Sequence, residues 1–115
     1  MAVGLIRRGD ILLVNFAPAR EGEANYTRPA VVVTNNAANA NAPVLMVVPL
    51  TTNLERLYSI HLLLPHQRTG LNEDSKAQPE AMRAISLSRV LRRLGHVPED
   101  LMEQLNERIR LHLAL

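Results

Sequence analysis

Three short aliphatic runs restrict the fold of this chain more than any other feature of its sequence. They are Ile11–Phe16, Ala30–Val33 and Val44–Leu50, and Gly, Pro or Asn residues stand between them. Runs of this length that are rich in β-branched residues are typical of buried strands, whereas a helix usually needs about ten residues or more. We therefore predict three strands here. Further strands are predicted at 58–64, within 75–85 and, as an edge strand, at 93–97.

The C-terminal segment has the clearest helical pattern. Pro98 suits the first helical position, and Glu99 and Asp100 lie in the first turn, where the helix dipole favours anions. Apolar residues recur at spacings of three and four and so share one face. These residues are Leu101, Met102, Leu105, Ile109 and Leu113.

Two segments connect the predicted strands without a strand pattern of their own. The polar segment 35–43 is predicted to be a loop with room for one helical turn, and Ser86 is predicted to cap a short helix over 87–92. Short strands followed by a terminal helix predict a mainly β, α+β fold, namely a small, strongly bent sheet or barrel with a C-terminal amphipathic helix. At 115 residues the chain is long enough for one domain, spanning 1–115, and too short for two.

Composition limits the classes of protein to which the chain can belong. Hydrophobic residues make up 47 % of it and aromatic residues only 3 %, so Val, Leu, Ile and Ala must supply the core. No apolar run approaches the roughly 20 residues of a membrane helix, and the N-terminus lacks the pattern of a secretory signal. Without cysteine there is no disulfide framework or zinc–thiolate site. We expect a cytoplasmic protein.

The basic residues are almost entirely arginine. Lys and Arg together number 13, and Lys76 is the single Lys, which leaves twelve Arg. A guanidinium is a planar fork suited to phosphates and base edges, although a GC-rich genome would explain the same bias. The net charge of +2 by itself predicts nothing about nucleic acid. The four histidines, at 61, 66, 96 and 112, show no metal-ligand spacing, so we expect no metal site.

Short motifs follow one another along the chain in a recognisable order. Gly9–Asp10 precedes the first aliphatic run, Thr27–Arg28–Pro29 opens the second, and Pro49–Leu50–Thr51–Thr52–Asn53 ends the third. Gly70–Leu71, Asp74–Ser75 and the Arg83-x-Ile85 step come later. Each motif alone is common. In this order, over residues 7–115, they resemble the MazF/PemK family of endoribonuclease toxins (mRNA interferases) of type II toxin–antitoxin systems.

The resemblance implies a fold, an activity and partners. The fold is an SH3-like barrel of the CcdB/PemK kind with appended helices, assembled as a homodimer whose RNA groove crosses the subunit interface. The activity is metal-independent, cofactor-free cleavage of single-stranded RNA at a short sequence. A cognate MazE-like antitoxin with an acidic, flexible tail would inhibit it by covering the groove. Operator DNA would be reached, if at all, only through the antitoxin complex, and no membrane is involved.

RNA carries its own nucleophile, the 2′-hydroxyl. Its attack on the adjacent phosphorus gives a 2′,3′-cyclic phosphate and a 5′-hydroxyl, and it needs a proton acceptor, a proton donor and donors for the extra negative charge. By resemblance, Arg28 and Thr51 are the catalytic pair: the guanidinium would bind two phosphate oxygens and the hydroxyl another. The proton acceptor stays open between Arg28, a poor base at its ordinary pKa, and Glu23. Glu23 could also serve only to position Arg28.

Other candidates have a structural alternative beside the functional one. Tyr26 could stack on a base or pack on the surface, and Asn53 could bind RNA or form an Asx turn. Thr52, with Thr51, could bind RNA or cap a turn. The pair Arg92–Arg93 could meet phosphates, although a solvated edge is the favoured interpretation. His61 and His112 are predicted to be structural.

The chain departs from the family pattern at two places. Glu21–Gly22–Glu23 stands where members usually carry Gly-Ser-Glu, and Glu80–Ala81 stands where many carry an acid followed by Gln. If that Gln reads a base, its loss changes the cleaved sequence more than the chemistry.

Two other functions fit a chain of this fold. One is a non-catalytic toxin of the CcdB kind, which poisons DNA gyrase and lacks the Arg-Pro and Pro-x-Thr motifs. The other is an RNA-binding barrel without cleavage, which would result if the altered loops disabled the site.

Overall fold

The computed structural model of the protein describes residues 4–17 and 26–115. Within these ranges the chain forms seven strands and three α-helices. In chain order they are β1 (Asp10–Asn15), β2 (Thr27–Val32), α1 (Asn36–Asn41), β3 (Val44–Thr51), β4 (Leu62–Leu64), α2 (His66–Thr69), β5 (Ser75–Ala77), β6 (Arg83–Ser86), β7 (Val90–His96) and α3 (Glu99–Leu113). Short 3₁₀ turns at Pro79–Ala81 and Leu87–Arg89 flank β6.

All the strand pairs are antiparallel, and the strands are arranged in the order β4-β5-β3-β2-β1-β7. The long strand β3 also pairs with β6 through Val44–Val47, on the side where Leu50 and Thr51 pair with β5. Strand β3 thus has two partner strands on one side. Because β5 and β6 pair with different parts of β3, the sheet divides between them. The polar end of β3 lies where the sheet divides.

Two aliphatic clusters fill the two faces of the sheet. Because side chains alternate along a strand, neighbouring residues of β1 enter different clusters, Ile11 one and Leu12 the other. The cluster around Ile11 includes Leu50 and Leu64 and is closed by Leu105 of α3. The cluster around Leu12 includes Phe16. The central strands are therefore buried on both sides, as the aliphatic runs predict.

The strand predictions for the first half of the chain are confirmed within a few residues. The prediction at 58–64 is wrong over its first half, because β4 spans only Leu62–Leu64. The residues before it form a turn, closed by the His61 backbone N–H donating to the Tyr58 carbonyl at 2.9 Å, and Tyr58 is 56 % exposed. The predictions within 75–85 are confirmed by β5 and β6.

The loop predicted at 35–43 is in fact mostly helical. Asn35 Oδ1 accepts a hydrogen bond from the Ala38 N–H at 2.9 Å, which caps α1, and an alanine-rich segment then continues the helix. The helix predicted over 87–92 is wrong beyond its first turn. Ser86 makes no capping hydrogen bond, the 3₁₀ turn ends at Arg89, and β7 begins at Val90 rather than at Arg93.

Helix α3 begins directly after Pro98 and packs its apolar face on the sheet. Leu101, Met102 and Leu105 are buried and Ile109 packs against the same cluster, whereas Leu113 is 49 % exposed, so the predicted stripe ends at Ile109. Arg8 holds the helix to the sheet, since its guanidinium donates to Asn106 Oδ1 at 2.6 Å and to the Val33 carbonyl. In the described ranges, no helix is long and apolar enough to cross a membrane.

Gly95 of β7 allows α2 to pack directly on the sheet. A Cβ atom at this position would lie 2.0 Å from the Thr69 carbonyl oxygen. Helix α2 ends there with Gly70 at φ +84°, a left-handed conformation that favours glycine. The segment after α2 is thereby held beside β7, close to the polar end of β3.

Candidate active site

Arg28 and Thr51 lie on neighbouring strands at the same end of the sheet. Strands β2 and β3 pair Ala30 with Pro49, and continuing this antiparallel register by two residues places Arg28 opposite Thr51. Both residues line one pocket of about 240 Å³. Its other lining residues are Thr27, Pro29, Leu50, Thr52 and Ser75. The structure thus brings together the two residues that the sequence motifs select.

The Arg28 guanidinium is held by neutral oxygen atoms. Nε and Nη2 donate to the Leu50 carbonyl at 3.2 and 2.8 Å, and Nη2 also donates to Gln78 Oε1 at 2.6 Å. Nη1 donates to Tyr26 Oη at 3.0 Å. These bonds fix the plane of the cation without neutralising it, since no carboxylate among the described residues pairs with it. A fixed cation with no carboxylate partner in the described ranges suits an anionic ligand.

Tyr26 supports Arg28 from the start of β2. The Arg28 guanidinium carbon lies 5.6 Å from the centre of the Tyr26 ring, and Tyr26 in turn meets Phe16 edge-on at 6.3 Å. The half-buried ring therefore has a structural role in holding the cation. Stacking of Tyr26 on a base stays a prediction.

Thr51 is placed to donate a hydrogen bond into the pocket. Its Oγ1 accepts the Asn53 backbone N–H at 3.2 Å, as in the turn that the sequence offers as an alternative. Among the described residues the hydroxyl has no acceptor for its own proton. Turn formation and substrate binding are therefore compatible at this residue.

Thr52 and Asn53 differ in their surroundings. Thr52 is exposed and lines the pocket with Thr51. Asn53 forms an Asx turn, because its Oδ1 accepts the Glu55 N–H at 3.1 Å. Asn53 does not line the Arg28 pocket but a neighbouring polar one of about 460 Å³, which also includes Gln78.

Gln78 is the site residue that sequence reasoning missed. It follows β5, whose Ala77 pairs with Leu50, and its backbone N–H donates to the Pro49 carbonyl at 3.0 Å. This pairing brings a side chain fifty positions along the chain to the Arg28 guanidinium. The strand before Gln78 reads Ser-Lys-Ala, so the sequence offers no apolar run or motif here that would identify the partner strand.

The remaining candidates are only partly placed by the structure. Glu23 and Gly22 lie outside the described residues. Glu80 accepts a 2.7 Å hydrogen bond from buried His61 Nε2, while His61 Nδ1 accepts the Tyr58 N–H. Both ring nitrogens are thus engaged, in agreement with a structural role for His61. Ala81 ends the 3₁₀ turn after β5 and is exposed.

His66 and His112 are exposed and do not line the Arg28 pocket. Hydrogen bonds from the backbone and ring of His66 lower the pKa of Asp74 below its usual value. His112 lies exposed in the last turn of α3. Among the described residues, no three His, Asp or Glu side chains are close enough together to hold a metal ion. Metal-independent chemistry stays a prediction.

Comparison with known proteins identifies the family. Residues 7–113 match the family described as PemK-like, MazF-like toxin of type II toxin–antitoxin system. Endoribonuclease MazF9 of Mycobacterium tuberculosis is 46 % identical to this chain, covering 96 % of the chain and 98 % of the relative. The crystal structure of MazF from Deinococcus radiodurans matches with a TM-score of 0.80 at 21 % identity, over 97 % of this chain and 99 % of that one.

A second solved structure shares the same architecture. It is an endoribonuclease from a mycobacterial species in complex with its cognate antitoxin, with a TM-score of 0.75 at 18 % identity, over 96 % of this chain and 95 % of that one. The likeness to these structures confirms the predicted fold, a curled antiparallel sheet with a C-terminal helix. The chain belongs to the PemK-like, MazF-like toxins of type II toxin–antitoxin systems.

Proposed function

We propose that the protein is a metal-independent, sequence-specific endoribonuclease that cleaves single-stranded RNA in the Arg28 pocket. The assignment as an endoribonuclease toxin rests on family membership and on the 46 % identity to MazF9. The single observation that carries the chemical proposal is the pocket itself, which is lined by Thr51 and by an arginine that pairs with no carboxylate among the described residues. A gyrase poison or a non-catalytic RNA-binding barrel has no need of this pair.

The reaction is an intramolecular transesterification at one phosphodiester linkage. The 2′-oxygen forms a bond to phosphorus, the bond from phosphorus to the 5′-oxygen breaks, and the products are a 2′,3′-cyclic phosphate and a 5′-hydroxyl. Arg28 and Thr51 bind the non-bridging oxygens and stabilise the charge that develops on them. The Nη1 edge beside Tyr26 offers a further N–H for this purpose, whereas a bidentate fork requires that Gln78 or Tyr26 release its hydrogen bond.

Two protons move in this reaction. One leaves the 2′-hydroxyl and the other reaches the departing 5′-oxygen. The acceptor of the proton from the 2′-hydroxyl is proposed to be Arg28 or Glu23, the two candidates that the sequence leaves open. A carboxylate is the easier base of the two. A Glu23→Gln variant separates the two alternatives, because it keeps the size of the side chain and removes its basicity. Full activity of this variant would leave Arg28 as the acceptor.

The partners are proposed from the family and the surface. Leu111 and Leu115 of the C-terminal segment are 67 % and 85 % exposed, and such apolar surface fits a homodimer. Complexes of related toxins with their antitoxins support a cognate MazE-like antitoxin for this chain. Contact with operator DNA is proposed only through that complex. A cytoplasmic location stays a prediction.

One experiment separates the enzyme from the alternatives. Purified protein is incubated with a long RNA in EDTA, beside the Arg28→Ala and Thr51→Ala variants. We expect cleavage by the wild type and strongly reduced cleavage by both variants. Intact RNA with the wild type would overturn the enzyme proposal. Equal cleavage by all three proteins would overturn the site and indicate a contaminating nuclease.

A further inference from the structure

A second cavity continues from the Arg28 pocket along the sheet. It has a volume of about 380 Å³ and shares Pro29, Thr52 and Ser75 with the lining of the Arg28 pocket. We call it the Arg92 groove. Its remaining lining residues are Leu13, Gly70, Leu71, Asn72, Glu73, Arg92, Arg93 and Leu94. The groove and the Arg28 pocket are therefore direct neighbours.

Strand register explains why Arg92 reaches this cavity. Pro29 of β2 lies opposite Leu13 of β1, and Leu13 lies opposite Arg92 of β7. Directly opposite residues project from the same face of a sheet, so the three side chains form a row across the strands. The row begins at the wall of the Arg28 pocket and ends at a guanidinium.

Two bulges in β7 flank the arginine pair. Leu13 pairs with Arg92 and the next residue of β1 pairs with Val90, so Leu91 is an extra residue. On the other side the pairing moves from Arg93 to Gly95, so Leu94 is extra as well. Bulges redirect side chains and are frequent beside active sites. Between the bulges Arg92 and Arg93 pair in regular register with Leu13 and Leu12, and both arginines line the cavity.

The two arginines differ in their charge balance. Arg93 donates to the Leu5 carbonyl at 2.6 Å and to buried Asp10 at 3.0 Å, so its charge is compensated. Arg92 is exposed and has no hydrogen bond or ion pair in the part of the chain that the structure describes. Glu73 also lines the groove but is not paired with Arg92. Arg92 is therefore the cation that is available to a ligand.

The lining of the groove suits a nucleotide. Leu13, Pro29 and Leu71 offer an apolar surface to the face of a base, and the Glu73 carboxylate can accept hydrogen bonds from an exocyclic amino group. Arg92 offers a planar fork to a phosphate. We propose that the groove holds the nucleotide next to the cleaved linkage, with the phosphate of that nucleotide bound by Arg92. The inference rests on the proposed ribonuclease function, because its ligand is the RNA that the Arg28 pocket cleaves.

The test measures binding apart from cleavage. A mixed-sequence 2′-O-methyl RNA oligonucleotide, which lacks the nucleophile, is titrated with wild type, Arg92→Ala, Arg92→Lys and the control Arg7→Ala in fluorescence anisotropy. Arg7 is also exposed but lines neither cavity. For Arg92→Ala we expect Kd to rise about ten-fold or more, as for the loss of a charged hydrogen bond. The slope of log K against log salt should fall by about 0.7, the value for one phosphate on a single strand.

The controls decide what each outcome means. Arg92→Lys should restore most of the salt slope, and Arg7→Ala should match the wild type. An Arg92→Ala variant that binds like Arg7→Ala would overturn the proposal. So would an Arg92→Ala variant that binds RNA normally but binds an acidic antitoxin peptide more weakly, since the groove would then serve a protein partner.

A parallel cleavage assay on unmodified RNA keeps the two proposals apart. Arg92→Ala should raise KM about ten-fold and change kcat less than two-fold. If the wild type binds RNA through Arg92 but does not cleave it, the ribonuclease proposal is wrong and the binding proposal stands. If the wild type cleaves RNA and Arg92→Ala has an unchanged KM, the binding proposal is wrong and the ribonuclease proposal stands.

Discussion

Arg28 and Arg92 line two cavities that share Pro29, Thr52 and Ser75, and the protein holds the two arginines in opposite ways. The Arg28 guanidinium is fixed by the Leu50 carbonyl, Gln78 and Tyr26. Arg92 stands on a bulged edge strand and has no partner among the described residues. Chemistry needs a donor that is already oriented when charge develops, because reorientation would add to the barrier. Binding of a flexible RNA strand, by contrast, tolerates a donor that is free to change its orientation.

The comparison predicts that substitution at Arg28 has the largest effect on kcat. Loss of one oriented donor typically costs about 10²–10³-fold in kcat, or ~3–4 kcal/mol, and we expect this for Arg28→Ala. Arg28→Lys should recover little, since an ammonium cannot donate along the plane that Leu50 and Gln78 define. Single-turnover cleavage of a defined RNA measures both, with Arg7→Ala as control. Wild-type rates with Arg28→Lys would show that the fixed plane is irrelevant.

Gly95→Ala should distort the Arg92 groove and leave the Arg28 pocket unchanged. The new Cβ would overlap the Thr69 carbonyl oxygen, so α2 and the groove wall must shift. Overpacking of this kind costs about 1–3 kcal/mol, which urea unfolding would measure. Gln67→Ala, on the exposed side of α2, is the matched control. An unchanged unfolding free energy would mean that this close contact does not exist in solution.

Gln78 tests whether fixing Arg28 matters for the rate. Gln78→Met keeps the length of the side chain and removes the oxygen that accepts from Nη2. We expect kcat to fall about ten-fold, corresponding to ~1.4 kcal/mol, with KM changed less than two-fold. A variant that raises KM alone would place Gln78 in binding instead of positioning.

The smallest expected effect concerns the surface pair that joins α2 to α3. Hydrogen bonds from Arg68 lower the pKa of Asp100, so the pair stabilises the fold above the ordinary Asp pKa and this stabilisation is lost as pH falls through the lowered value. The melting temperature of Arg68→Ala should lie slightly below that of wild type near neutral pH. The difference should vanish in strong acid. A gap that persists there would show that Arg68 contributes through packing.

Much of this architecture follows from the local sequence. The aliphatic runs predict β1, β2 and β3 because a strand that is buried on both faces is apolar throughout. It lacks the alternating polar residues of a half-exposed strand. The spacing of Leu101 and Leu105 predicts α3, whereas Leu113 is apolar without being buried. Helix α1 is longer than the single turn that the sequence allows, because the Asn35 cap extends the helix to Asn41.

The site could be predicted only where adjacent residues encode it. Arg28 and Thr51 end or open strands within recognisable motifs, and their meeting follows from the pairing of β2 with β3. Gln78 and Arg92 depend on tertiary features that no short motif carries. Gln78 needs β5 to pair with the end of β3, and Arg92 needs β7 to pair with β1 so that it lies opposite Leu13.

The central claim is that an oriented Arg28 promotes attack by the RNA's own 2′-hydroxyl. Analysis of the ends that wild type produces in EDTA on a defined transcript tests this most directly. We predict 2′,3′-cyclic phosphate and 5′-hydroxyl ends at a fixed short sequence, and their near absence with Arg28→Ala. Ends that carry a 5′-phosphate and a 3′-hydroxyl would contradict the account, because they require an external water as the nucleophile.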